Sequence, residues 1–417
     1  MAHHHHPILG LILFFLFTFS SLSTFSHAHF PIVEEEQVPF PNLRLKNAYV
    51  ALQAWKHSIF SDPYNTTANW IGNDVCSYNG VFCAPALDDP SMDVVAGIDL
   101  NHADIAGNLP SELGLLTDMA LFHINSNRFC GIVPPCLENF TLMHEFDISN
   151  NRFVGGFPSV VLQWPHLKYL DIRFNDFEGP LPKELFEMDL DAIFLNNNRF
   201  TSSLPSTLGK SKASVITFAN NKLTGCIPRS IGKMKKLNEV IFMGNDLGGC
   251  FPEEFGMMEN LNVLDLSDNH FVGTLPNLTG LKSAEIIDIA SNELSGYVSE
   301  SICELPSLKN FTYSDNYFTG EAPTCAASSS SSATGIIFND SGNCLIGKKL
   351  QKKTKLCLSI LARPVDCDKV CGCGEGPSSS SLPLEIKIKT SPKKKLINSA
   401  YRIVEELELE LALLTSN

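Results

Sequence analysis

Apolar and polar residues follow one short pattern that returns every 23 or 24 residues between Val95 and Pro323. The pattern is an apolar residue, any residue, a second apolar residue, two further residues and then Asn. Apolar residues at every second position predict a short strand with one buried face. The pattern repeats ten times, with Ala103 at the Asn position of an atypical first copy and Asn in the other nine: Asn127, Asn151, Asn175, Asn198, Asn221, Asn245, Asn269, Asn292 and Asn316.

A fixed period in this range is the signature of a leucine-rich repeat solenoid, in which stacking of the coils creates one continuous core. The Asn amide both donates and accepts hydrogen bonds, so it can satisfy backbone groups where each coil leaves its strand. Gly follows the Asn by four residues in most copies and Pro comes three residues later, which favours a tight turn and ends strand pairing. The predicted fold class is an α/β solenoid of about ten plant-type leucine-rich repeat coils with disulfide-capped ends.

The repeats divide the chain into five predicted segments. Residues 1–28 are interpreted as a secretory signal, because the apolar core Ile8–Phe19 precedes small residues and is shorter than the roughly 18 residues of a spanning helix. Residues 29–92 are expected to cap the first coil, with a helix over Leu43–Ser58 and with Trp70 covering the open apolar end. The repeats occupy 93–325, a cysteine-rich hinge 326–376, and a Ser- and Lys-rich tail, expected to be disordered, 377–417.

Thirteen cysteines agree with export to an oxidising compartment. Cys226 and Cys250 each follow the Asn of adjacent coils by five residues, and strands about 4.8 Å apart suit a disulfide, so we expect them to pair. The other expected pairs are Cys76–Cys83, Cys130–Cys136 and Cys303–Cys325. Five cysteines remain in the hinge, an odd number, so one thiol is free, pairs with another chain or has lost its partner. Their irregular spacing favours disulfides over zinc, and no metal site or cofactor is predicted.

Five sequons for N-linked glycosylation are a further expectation for an exported chain: Asn65, Asn139, Asn277, Asn310 and Asn339. No stretch after the signal is long and apolar enough to span a bilayer, so we expect a chain without a membrane anchor.

The formal net charge of −14 conceals an asymmetry. Residues 343–395 contain twelve Lys or Arg against four Asp or Glu, whereas residues 1–342 contain 18 against 37. An acidic solenoid disfavours nucleic acid as a partner and favours cationic partners.

Exposed strand positions form the concave face that solenoids use for binding. In the first coils these positions are largely acidic, and further along they become apolar, which favours a binding surface. No GxSxG or HExxH motif occurs, so no catalytic residue is proposed and the chain is not expected to be an enzyme. The candidate ligand-binding residues are Asp99, His123, Glu145, Asp147, Tyr169, Asp171, Arg173, Phe194, Ile241 and Met243.

Several long strings, among them FANNKLTGCIP and FMGNDLGGCFPEE, resemble the plant leucine-rich repeat extensins, including the pollen type. The likeness covers the signal, the cap, all ten coils and the hinge through RPVDC. The family also carries a tail of Ser-Pro-Pro-Pro-Pro repeats, which this sequence lacks after Gly376.

The resemblance implies a secreted protein of the plant cell wall that binds basic, cysteine-containing rapid alkalinization factor peptides and takes part in wall formation and growth. A homodimer, wall polysaccharide and a membrane receptor kinase are further candidate partners. The alternative is an inhibitor of a wall-degrading enzyme, similar to the polygalacturonase-inhibiting proteins.

Overall fold

The structure, a computed structural model, describes residues 39–328, 336–362 and 365–370. Each repeat adds one short strand to a long sheet, and most repeats add a second strand to a shorter sheet, so the predicted solenoid is confirmed. The secretory signal, the tail, Cys371 and Cys373 lie outside the described residues.

The long sheet has twelve strands among the described residues, and all pairs are parallel except the first, in which the strand of the N-terminal cap runs antiparallel to its neighbour. Strands of three residues suffice because each buries only its central side chain in the core between the sheets. In chain order the strands are Val81–Pro85, Asp93–Asp99, Leu121–His123, Glu145–Asp147, Tyr169–Asp171, Ala192–Phe194, Val215–Thr217, Glu239–Ile241, Val263–Asp265, Ile286–Asp288, Asn310–Thr312 and Ile337–Asn339.

The short sheet contains nine parallel strands on the opposite side of the coils. It consists of Cys130–Gly131, Arg152–Gly155, Asp176–Pro180, Arg199–Ser203, Lys222–Gly225, Asp246–Cys250, His270–Thr274, Glu293–Val298 and Tyr317–Glu321. A two-stranded sheet, Ile59–Ser61 with Ala106–Gly107, joins the cap to the first coil.

Short 3-10 helices connect the sheets, and in the repeats most of them begin directly after a proline such as Pro182, whose missing N–H ends strand pairing. These helices span Val75–Ser77, Ser111–Leu115, Pro135–Asn139, Ser159–Gln163, Lys183–Glu187, Ser206–Lys210, Arg229–Lys233 and Glu253–Met257. Short α-helices span Glu300–Cys303, Pro323–Ser328, Thr354–Leu361 and Cys367–Val370.

The N-terminal cap closes the apolar end of the solenoid with the helix Leu43–Ser58, which has the bounds that the sequence predicts. Asn42 begins the helix, since its side-chain oxygen accepts the backbone N–H of Leu45 at 2.9 Å. Trp55, fully buried, lies with its ring centroid 5.7 Å from that of Phe122 in the second coil and 5.9 Å from that of Trp70. The two tryptophans therefore cover the core where no further coil follows.

A ladder of buried asparagines holds successive coils together. The amide nitrogen of Asn175 donates to the carbonyl of Ile148 in the preceding coil at 3.0 Å and to Ile172 in its own coil at 3.3 Å, while its oxygen accepts the N–H of Phe153 at 2.9 Å. Asn198, Asn221, Asn245, Asn269, Asn292 and Asn316 repeat this arrangement. The ladder satisfies backbone groups that the strands leave unpaired, as the sequence predicts.

The repeat architecture continues beyond residue 325, where the sequence analysis placed its end. Asn343 donates to the carbonyl of Tyr313 at 3.0 Å and accepts from the N–H of Phe318 at 3.2 Å, as Asn316 does with Ile289 and Leu294 one coil earlier. Phe338 and Asn343 keep the spacing of the pattern. Asp340 occupies the second apolar position, so the pattern is incomplete and this copy was not recognised in the sequence. The hinge therefore begins with an eleventh coil.

Four disulfides connect described residues, and Cys76–Cys83 and Cys303–Cys325 agree with the sequence prediction. The predicted pair Cys226–Cys250 is wrong: Cys250 bonds Cys367, with their Cα atoms 5.6 Å apart, and Cys226 is disulfide-bonded elsewhere. The two strands next to these cysteines pair at an offset of 22 residues, Thr224 with Asp246, whereas the cysteines are 24 residues apart. They are therefore not opposite one another.

The predicted Cys130–Cys136 pair is also wrong, because both cysteines are free thiols. Cys130 lies in a strand of the short sheet, with its Sγ 3.2 Å from the side-chain oxygen of Asn108. Cys136 lies in the following 3-10 helix, packed against Gly114. The two side chains therefore face different parts of the preceding coil.

The hinge is fastened to the last coils by covalent and ionic contacts. Cys344 bonds Cys357 within the hinge, and the Cys250–Cys367 bond ties it to the short sheet. Lys348 forms ion pairs with the buried Glu321 and with Asp340. Lys352 donates to the carbonyl of Asn316 at 2.7 Å and lies 4.8 Å from the ring centroid of Tyr317. The basic hinge thus packs onto the repeats through part of its positive charge.

Replacing Asn221 with Ala should lower the free energy of unfolding by about 2–4 kcal/mol, because buried carbonyls and one N–H lose their partner without gaining water. Urea unfolding of the purified protein measures this. Asn262→Ala, which truncates an exposed Asn of the same solenoid, is the matched control and should change stability little. Equal losses in both variants would contradict the role of the ladder.

Unreduced peptide mapping should find Cys250 linked to Cys367. Cys367→Ser should lower the free energy of unfolding by about 2–5 kcal/mol, since the bond restricts a long loop of the unfolded chain. Cys130→Ser removes a free thiol and should leave stability almost unchanged. A Cys226–Cys250 peptide, or an unchanged melting temperature for Cys367→Ser, would refute the assignment.

Candidate functional site

The open face of the long sheet presents two rows of side chains, because residues in register on parallel strands lie about 4.8 Å apart. The first row, in chain order, is Asp99, His123, Asp147, Asp171, Phe194, Thr217, Ile241, Asp265, Asp288, Thr312 and Asn339. The second row is Gly97, Leu121, Glu145, Tyr169, Ala192, Val215, Glu239, Val263, Ile286, Asn310 and Ile337.

Three carboxylates, Asp99, Glu145 and Asp147, form an N-terminal acidic patch around His123. The Nε2 atom of His123 lies 3.3 Å from a carboxylate oxygen of Glu145. Among the described residues, no Lys or Arg forms an ion pair with any of the three carboxylates. Asp99 is exposed and Glu145 and Asp147 are half-buried, so all three carboxylates retain contact with solvent.

His123 and Glu145 stabilise each other's charged forms. Burial lowers the pKa of His123, but the contact of its Nε2 with the Glu145 carboxylate and the charges of Asp147 and Asp99 outweigh it, so the pKa lies above its ordinary value. The same contact lowers the pKa of Glu145. Protonation of His123 would reduce the negative charge of the patch.

Asp171 belongs to the predicted acidic strip, but its side chain is completely buried. The Nε atom of Arg173 lies 3.0 Å from its carboxylate. The guanidinium group also lies 5.3 Å from the ring centroid of Phe194, and that ring lies 5.3 Å from Tyr169. These four residues therefore form an internally compensated cluster, and Asp171 presents no charge to a ligand.

An apolar strip follows this cluster along the sheet. Phe194 is 8% exposed and packs with Ala192 and Val215, while Ile241 and Met243 are half-buried. The side chains belong to the open face rather than to the main core. Phe194 and Ile241 are two strands apart in the first row, with Thr217 between them, and Phe194 contributes little surface of its own.

Glu239, Asp265 and Asp288 form a C-terminal acidic patch that the sequence analysis missed. Asp265 and Asp288 are in register on neighbouring strands, and Glu239 lies on the strand before them. None of the three has an ion pair with a described residue. The signal was present in the sequence, since an Asp stands between the two apolar positions of both coils.

The carboxylates of this C-terminal acidic patch resist ionisation. Burial raises the pKa of Asp265 and of Glu239. Burial and the neighbouring charge of Asp265 raise the pKa of Asp288 to about 7. No cation of the described chain offsets this cost, so a cationic ligand would stabilise the ionised forms.

The described residues contain no group of three or more His, Cys, Asp or Glu side chains arranged to hold a metal ion. Among the helices that the structure describes, none has the length and apolar character to cross a membrane.

Residues 46–84 match the leucine rich repeat N-terminal domain, and residues 166–188 and 260–281 match the Leucine Rich Repeat. Pollen-specific leucine-rich repeat extensin-like protein 2 of Arabidopsis thaliana is 78% identical over 163 residues, which are 39% of this chain and 19% of that protein. Leucine-rich repeat extensin-like protein 3 of the same plant is 71% identical over 178 residues, 43% of this chain and 23% of that protein.

Solved structures with a similar fold include plant receptor ectodomains. The plant peptide hormone receptor RGFR1 in complex with RGF2 has a TM-score of 0.55 at 29% identity, covering 60% of this chain and 40% of that one. The ectodomain of GASSHO1/SCHENGEN3 from Arabidopsis thaliana, in complex with CASPARIAN STRIP INTEGRITY FACTOR 2, has a TM-score of 0.62 at 22% identity, covering 73% and 39%. The second likeness concerns the fold alone.

The asparagine ladder, the disulfide-bonded cap and these likenesses define a plant-type leucine-rich repeat solenoid of the extracellular kind. Within that class, the chain is similar to the leucine-rich repeat extensin-like proteins, a likeness that fits a protein of the cell wall. It spans about a fifth of the length of the curated relatives that it matches, which are 78% and 71% identical.

Asp288→Asn should make stability less dependent on pH. Asp288 has a raised pKa, so the folded protein holds a proton that the unfolded chain releases, and the contribution of Asp288 to stability falls as pH rises from about 4 to about 7. At pH 8 the variant should be more stable by roughly 1–2 kcal/mol, and at pH 4 equally stable. Asp265 and Glu239 are the titratable groups on the neighbouring strands.

Thermal unfolding at both pH values, with Asp191→Asn at an exposed position as control, tests this prediction. A destabilised Asp288→Asn variant at pH 8 would contradict it.

Proposed function

We propose that this chain is a non-enzymatic, extracellular binding protein of the plant cell wall. Its ligands are basic, cysteine-containing signalling peptides of the rapid alkalinization factor type, and it links their capture to wall formation and growth. The family and the absence of a catalytic motif support this proposal, and the charge distribution of the long sheet carries it.

The supporting observation is that two acidic patches, neither of which has an ion pair with a described Lys or Arg, flank one apolar strip. Asp147 and Asp265 lie on strands that are five steps apart, which corresponds to about 24 Å at about 4.8 Å per step. A ligand with basic groups at both ends and an apolar middle would match this order. A small disulfide-bonded peptide or an extended segment of about seven residues spans the distance.

Carboxylates without an internal cation are suited to recognition, because binding replaces water around both charges with one charge-assisted contact. The carboxylates of the N-terminal acidic patch lie at half-exposed or exposed positions, where they steer association and give strong salt dependence. Those of the C-terminal acidic patch are more buried, where the gain from a bound cation is larger. The apolar strip between them adds surface whose burial is favourable.

The likeness to RGFR1 in complex with RGF2 adds support, since that relative in fold binds a peptide hormone. In our proposal the open face of the long sheet performs the corresponding task here.

Calorimetric titration of the secreted chain with synthetic rapid alkalinization factor peptides should detect binding that weakens between low and moderate salt. Glu145→Gln/Asp147→Asn and Asp265→Asn/Asp288→Asn should each weaken binding by about threefold to thirtyfold, because each removes two cation partners. The first pair should also flatten the salt dependence.

Glu138→Gln/Glu178→Gln removes two exposed carboxylates from other faces of the solenoid and is the matched control. If the control weakens binding equally, only overall charge acts and the face is not the site. If no peptide binds the wild-type protein, the proposal fails, and inhibition of a polygalacturonase becomes the function to test.

A further inference from the structure

Two of the five sequons lie on the long sheet, at its C-terminal end. Asn310 begins the strand Asn310–Thr312, and Asn339 ends the strand Ile337–Asn339, which is the edge of the sheet among the described residues. The other three lie away from this sheet, in a turn of the cap, in a 3-10 helix and in a loop.

The side chains of Asn310 and Asn339 leave their amide nitrogens available. The oxygen of Asn310 accepts from the hydroxyl of Thr312 at 3.3 Å, and the oxygen of Asn339 accepts from the hydroxyl of Ser341 at 2.9 Å. Within the described chain neither amide nitrogen donates a hydrogen bond, whereas the nitrogen of Asn139 donates to the carbonyl of Gly114 at 3.0 Å. A group attached to either nitrogen would therefore break no contact of the fold.

The surface around these two asparagines combines an edge strand with an exposed apolar residue, and proteins normally cover such a surface. Ile337 is in register with Asn310 and is 66% exposed. Among the described residues no strand pairs with the outer edge of Ile337–Asn339, so this edge is open to another strand, which is a known route to association. An exposed apolar residue on such an edge increases that hazard.

We propose that Asn310 and Asn339 both carry N-linked glycans, and that these glycans cover Ile337 and the edge strand. In each case the amide nitrogen loses one proton and bonds to the anomeric carbon of a lipid-diphosphate-linked oligosaccharide, and the lipid diphosphate leaves. The apolar faces of the attached sugar rings lie over Ile337, and their bulk keeps a second strand from pairing with the edge.

The glycans also set a limit to the binding face. Asn310 lies on the strand next to that of Asp288. A macromolecular ligand is therefore confined to the coils up to the C-terminal acidic patch, and the last two strands are closed to it. This assignment does not depend on which ligand binds.

Glycopeptide mass spectrometry of the protein secreted from plant cells should find both asparagines modified. Asn310→Gln/Asn339→Gln should then associate at increasing concentration in sedimentation velocity, while the wild-type distribution stays constant. Thr312→Ala/Ser341→Ala removes both sequons without touching either asparagine and should behave in the same way.

Asn65→Gln/Asn277→Gln removes two sequons elsewhere and should sediment as the wild type does. An unmodified Asn310 or Asn339 in the secreted protein would overturn the assignment of the site. Modified asparagines combined with sequon-free variants that do not associate would overturn the covering role.

Discussion

The hydrogen bonds of the buried asparagines are the constraint on which the rest of the structure depends. Each amide ties a coil to the one before it, as Asn221 does through the carbonyl of Leu195 at 3.0 Å and the N–H of Phe200 at 3.0 Å. Because every coil offers the same unpaired groups, the ladder imposes one offset between neighbours over the whole solenoid. That fixed offset aligns the strands of the long sheet, and the alignment assembles separate side chains into rows. The binding face is a consequence of the ladder.

The same constraint explains which structural features the sequence predicts and which it does not. The coils, the cap helix Leu43–Ser58 and the ladder were predictable because their patterns are local and repeated. The partners of Cys226 and Cys250 were not, since equal positions after the Asn do not face each other in the short sheet, where Thr224 is opposite Asp246. Cys367 could not be assigned to Cys250 from spacing, because 117 residues separate them. The eleventh coil was not predicted because Asp340 occupies the second apolar position of its repeat pattern.

In the candidate site, the sequence does not distinguish a buried, ion-paired carboxylate from one without an ion pair. Asp147 and Asp171 look alike in the sequence, yet Asp171 is completely buried beside Arg173 whereas Asp147 has no ion pair with a described residue. The ion pair with Arg173, two residues beyond the end of the strand, decided the difference, and the repeat pattern does not specify it. Conversely, Asp265 and Asp288 were overlooked because each is one acid in an ordinary coil. Only the register places them side by side, where neither finds a cation.

The acidic residues of the long sheet affect stability differently, depending on whether a basic partner lies beside them. Where acids have basic partners, as at Asp171 and Arg173, the charge holds the fold together. Where they have none, as at Asp265 and Asp288, ionisation costs stability, and the fold tolerates that cost. Replacing those acids by apolar residues would remove the cost without disturbing the ladder. A solenoid that retains these acids presents negative charge that a ligand compensates from outside. A ligand with basic groups at both ends and an apolar middle supplies this compensation, because its parts follow the order of the two acidic patches and the apolar strip.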